Sequence, residues 1–120
     1  MMNGMLVLIM TGPEEEKGDI KVSEGLHILE SVAIKGKGKI RIVLKGEGVE
    51  WIREQTNDVE KMIVEYLEVL SELGVNVGAC FSSIQQRGLE MHLSEMGIKP
   101  VASTEWFSKA LENDWEIITF

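Results

Sequence analysis

The feature that most constrains the fold is an alternation repeated along the chain: a stretch with helical periodicity ends at glycine or asparagine, and a short apolar run of strand character starts within a few residues. Met5 to Thr11 is apolar on both faces, as strands between two helix layers are. The loop Gly12-Pro13-Glu14-Glu15-Glu16 follows, then a helix from about Asp19 to Lys35 that turns Leu26, Leu29 and Ala33 inward and stops at Gly36. Lys39 to Leu44 is the second strand, and Val49 to Glu54 a short helical turn. The clearest helix begins near Asp58: Val59, Met62, Ile63, Tyr66, Leu70 and Leu73 recur at intervals of three and four, Asn57 or Asp58 offers the cap, and Gly74 the exit. Val75 to Cys80 is the third strand, Ser83 and Gln86 outline a capping box, and Leu89 to Met96 continues as helix to Gly97. Ile98 to Ala102 makes a fourth strand, irregular or at an edge because Pro100 lacks a ladder donor. Ser103 or Thr104 opens a helix with Trp106, Phe107, Ala110 and Leu111 inward, Asn113 closes it, and Trp115 to Phe120 is the last strand. Right-handed crossovers require such strands to be mostly parallel. The predicted fold is therefore a three-layer α/β/α sandwich on a mostly parallel five-stranded sheet, one domain over residues 1–120.

Composition narrows the function classes. Apolar residues make up 44% of the 120 and charged residues 27%, which suits a packed core and not a disordered acidic chain. The formal net charge of −8 argues against a nucleic-acid partner, since phosphate tracking needs clustered cations. One basic stretch, Lys35, Lys37, Lys39, Arg41 and Lys45, runs against that balance and reads as a solvated strand edge, with an anion or partner patch as the alternative. Met5 to Met10 is too short to span a bilayer, and Glu14 to Glu16 follow where a leader would have a cleavage site, so no membrane association is expected. A single cysteine leaves no intrachain disulfide and no CxxC motif, consistent with a cytoplasmic setting. Three tryptophans and seven methionines suit a core or a subunit interface, and a homo-oligomer is expected.

The candidate chemistry centres on Cys80. In an open parallel sheet, sites form outside the carboxyl ends of the strands, which here carry Thr11-Gly12-Pro13, Gly46-Glu47-Gly48, Cys80-Phe81-Ser82-Ser83 and Ser103-Thr104-Glu105. A thiol at a strand-to-helix junction meets backbone N–H groups and the positive helix pole, both of which favour thiolate. Ser82 and Ser83 are the expected anion-holding residues, with Gly12 on the same edge. Arg87 either approaches the thiol or pairs with a carboxylate. His27 and His92 fall on different predicted helices with no metal-ligand spacing, and no nucleotide motif follows any strand, so neither metal nor cofactor is called for.

Cys80 with Arg87-Gly88 seven residues on, behind the strand Val75 to Ala79, resembles the cysteine segment of the DsrE/DsrF-like family, which includes TusD-like sulfur-carrier subunits. Thr11-Gly12-Pro13 before a long helix, and Ile42-Val43-Leu44-Lys45-Gly46-Glu47-Gly48-Val49, are similar to that family's segments in the same order. The resemblance implies a flavodoxin-like subunit that assembles into trimers or hexamers, with Cys80 accepting sulfane sulfur as a persulfide from a donor protein and passing it to an acceptor. The competing expectations are a non-catalytic oligomeric binding or scaffold subunit whose cysteine is inert, and a small-molecule domain holding a phosphate at Ser103-Thr104.

Overall fold

The computed structural model describes residues 4–36, 39–53, 57–96 and 98–120, with the backbone alone for 94–96. The expected Lys37, the end of the helical turn at Glu54 and the helix stop at Gly97 lie outside the described residues. The strands are β1 (Gly4–Ile9), β2 (Lys39–Leu44), β3 (Asn76–Cys80), β4 (Lys99–Val101) and β5 (Glu116–Thr119). The helices are α1 (Gly18–Ile34), α2 (Asp58–Glu72), α3 (Phe81–Arg87), α4 (Glu90–Met96) and α5 (Ser103–Glu112), with a 3-10 helix at Gly46–Ile52 between β2 and α2.

The predicted α/β/α sandwich is present, and every strand pair is parallel. The strand order is β4-β3-β2-β1-β5, which differs from the 2-1-3-4-5 of flavodoxin itself. The chain steps from β1 to β4 in one direction, so right-handed crossovers put α1, α2, α3 and α4 on one face. It then returns across the whole sheet to lay β5 beside β1, which puts α5 on the other face. Alternation along the strands sorts the apolar side chains accordingly. Val7, Ile9, Ile40, Ile42, Leu44, Val77 and Ala79 pack with Leu26, Leu67, Leu70, Ile84 and Trp51 into one large core. Leu6, Val43 and Ala110, flanked by Leu8, Val101, Trp106, Trp115 and Ile117, make a small second one.

Local signals explain most boundaries. The Asn57 side chain accepts a hydrogen bond from the Glu60 N–H at 2.9 Å and fixes the start of α2, while Gly74, at φ 94, ends that turn. Pro100 sits on β4, an edge strand as expected. Two helix faces differ from prediction. On α2 the buried set is Ile63, Val64, Leu67 and Leu70, whereas Met62 and Leu73 are exposed. The stripe is rotated because α2 packs on α1 as well as on the sheet. On α5 only Ala110 of the four expected residues is buried; Trp106 is half-buried, and Phe107 and Leu111 face outward, since among the described residues no second helix flanks α5 on its face of the sheet.

Candidate functional site at the carboxyl edge

Cys80 ends β3 and is also the residue that opens α3, with no loop between strand and helix. The helix start implied by a capping box at Ser83 is therefore displaced: α3 starts at Phe81, and Ser82 and Ser83 both lie in its first turn. Ser83 does not form a capping box. Its buried hydroxyl instead accepts the Gly46 N–H at 3.0 Å and ties α3 to the end of β2. Ser82 stays with the thiol, its Oγ 3.3 Å from Cys80 Sγ.

The neighbours of β3 complete the surroundings. Lys45, one residue beyond β2, brings its Nζ to 3.5 Å from Cys80 Sγ. Ser103, the first residue of α5, donates from its hydroxyl to Cys80 Sγ at 3.3 Å and accepts from Lys45 Nζ at 2.9 Å. A serine at a helix start usually turns its hydroxyl back on the helix's own N–H groups. No such bond forms here, and the hydroxyl serves the thiol and the ammonium.

Cys80 is a buried residue, only 3% exposed. Its surroundings are polar, however. Burial pushes the Cys80 thiol up, but hydrogen bonds from the Ser103, Ser82 and Ser83 side chains and the Ser83 backbone outweigh it, and the pKa falls from 9.0 to about 6. The Lys45 ammonium favours the same thiolate by direct Coulomb attraction. A sulfur whose thiolate is favoured by a nearby cation and by the Ser82 and Ser103 hydroxyls can attack an electrophilic sulfur and can leave again as a thiolate.

The other predicted residues have different tasks. Arg87 is given to Glu47, at 3.0 Å, and to the Ser83 carbonyl at 3.4 Å, so of its two expected roles it takes the carboxylate pair. Gly12 holds the first loop against the 3-10 helix: a Cβ there would lie 2.6 Å from the Glu47 carbonyl oxygen. Trp51 locks the same junction by donating to the Thr11 carbonyl at 2.7 Å. Among the described residues no cluster of His, Cys, Asp and Glu could hold a metal ion, and no helix is long and apolar enough to cross a membrane.

Lys45 and Ser103 were not expected as partners of the thiol. Both stood at the carboxyl edge in the sequence, one read as part of a basic strand edge and the other as a cap. Only the order β4-β3-β2 places them on either side of Cys80.

The chain is thus an all-parallel α/β sandwich with a thiolate-favouring cysteine at a strand end. The chain belongs to the DsrE/DsrF-like family, whose model matches residues 4–120. Its fold is similar to that of the ychN protein from E. coli, with a TM-score of 0.74 at 19% identity over 100% of both chains. It is also similar to a conserved protein of unknown function, BT1422, from Bacteroides thetaiotaomicron, with a TM-score of 0.72 at 14% identity over 97% of this chain and 94% of that one. No curated protein matches the chain in sequence.

Proposed function

We propose that this protein carries sulfane sulfur as a persulfide on Cys80, as a cytoplasmic homo-oligomer working between a donor and an acceptor protein. The observation that carries the reading is the polar setting of the sulfur, with the Ser103 and Ser82 hydroxyls each at 3.3 Å and Lys45 Nζ at 3.5 Å, which favours the thiolate. In the first step the Cys80 thiolate attacks the outer sulfur of a donor persulfide; a new S–S bond forms on Cys80 and the donor leaves as its thiolate. In the second, an acceptor thiolate attacks the outer sulfur of the Cys80 persulfide and releases Cys80 as the thiolate again. Each step is an exchange, so no external oxidant or reductant is consumed. The Ser83 N–H and the hydroxyls of Ser82 and Ser103 hold the sulfur anion, while Lys45 balances its charge.

The burial of Cys80 favours a second reading, a binding or scaffold subunit of the same fold with an inert cysteine. Two measurements separate them. Incubation with a persulfide donor should add one sulfur, about 32 Da, to Cys80, and a following thiol protein should remove it. An unmodified Cys80 under conditions that load a known carrier refutes the proposal, and iodoacetamide alkylation near neutral pH slower than that of a free cysteine peptide supports the inert reading.

A further inference from the structure

Arg41 lies on the α5 face of β2, with its guanidinium clamped between two indoles, 5.4 Å from the centroid of Trp106 and 5.2 Å from that of Trp115. Such contacts fix the plane of the group and leave its N–H edge available. Among the described residues, none accepts a hydrogen bond from Arg41, and none forms an ion pair with Arg41, Lys39 or Lys99.

Two grooves meet at this side chain. One, of about 430 Å³, is lined by Lys39, Arg41, Asn76 and Trp115; the other, of about 350 Å³, by Arg41, Asn76, Lys99 and Trp106. Asn76 is the register neighbour of Arg41 across the β2–β3 pair. Lysines at strand edges commonly serve only to block pairing, which suffices for Lys99 on β4. It does not account for Arg41, which sits on the central strand. Three cations without a carboxylate partner also converge there in a chain whose net charge is −8.

We infer that these joined grooves bind a small molecule bearing a dianionic oxyanion of the phosphate class. The guanidinium edge takes two oxygens, Lys39 and Lys99 neutralise the remaining charge from either side, and Asn76 supplies an amide donor. Volumes of this size admit a ligand larger than the oxyanion alone. The site is separate from the cysteine: Lys45 lies four positions beyond Arg41 along the extended chain, roughly 13 Å at the usual strand rise.

Calorimetric titration with inorganic pyrophosphate at low salt tests this, read in parallel by tryptophan emission because Trp106 and Trp115 flank the cation. Saturable binding at one site per chain is expected, weakened about tenfold or more by Arg41→Gln, as the loss of charge-assisted hydrogen bonds requires. Lys39→Gln with Lys99→Gln, at two exposed positions that leave the fold intact, should weaken it about threefold or more. The rate of Cys80 alkylation should not change on adding pyrophosphate. The inference is overturned by the absence of saturable binding to the intact protein at millimolar probe, by unaltered affinity in either variant, or by protection of Cys80, which would put the anion at Lys45 instead.

Discussion

The two faces of the sheet are built by different rules. The face under α1, α2, α3 and α4 is a continuous apolar core in which Leu26, Ile42, Ile63, Leu67 and Trp51 are almost wholly buried. The face under α5 buries little beyond Leu6, Val43 and Ala110, and the same strands present Arg41 on it, with Lys45 and Cys80 beyond at its carboxyl edge. Close helix packing makes the first face almost wholly apolar. The second, where α5 packs, holds a clamped guanidinium and a buried thiol among polar partners. The large core lies on one side and the candidate site on the other.

The sharpest way to break that division is to damage the first face alone. Leu67→Ala should cost about 2–5 kcal/mol, read from denaturant midpoints, and leave the pH midpoint of Cys80 alkylation where it was. A shifted midpoint would show that the faces are coupled.

A smaller effect is expected at the thiol itself. Its folded pKa of about 6 lies below the 9.0 of the unfolded reference, so the stability it contributes is complete above pH 9 and is lost as pH falls through 6. Cys80→Ala should flatten the pH dependence of unfolding in that window by on the order of a few kcal/mol. Equal slopes in the two proteins would mean that the thiol is not held as an anion.

Next in size is Ser103→Ala, which removes the first of the hydrogen bonds that favour the thiolate. The alkylation midpoint should rise by about one unit, worth roughly 1.4 kcal/mol, with little change in the unfolding midpoint at low pH. The smallest effect belongs to Arg87→Gln. Its ion pair with the largely exposed Glu47 should be worth no more than about 1 kcal/mol, and the thiol midpoint should not move. A displaced midpoint there would restore Arg87 to the site.

How much of this was legible beforehand differs between elements. The α2 cap at Asn57, the stop at Gly74, the edge strand at Pro100 and the strand ending in Cys80 follow from residues within a few positions of each other. Outward-facing Phe107, Leu111, Met62 and Leu73 did not follow, because periodicity shows that a helix has an apolar stripe but not how many neighbours will cover it. Arg87 was left between two roles for a related reason: its distance from Cys80 along the chain is readable in the sequence, but the approach of Glu47 from another element is not.

From the residues alone came the alternation of strand and helix, the parallel pairing it forces, and a thiol at a strand-to-helix junction. These are short-range properties, set by side-chain period, caps and the handedness of crossovers. Tertiary structure alone decided that β2 and β4 flank β3, and with that order Lys45 and Ser103 became the partners of Cys80 across 35 and 23 residues of chain. Strand order depends on which faces bury the most apolar surface together, a property of the whole sheet that no single segment carries.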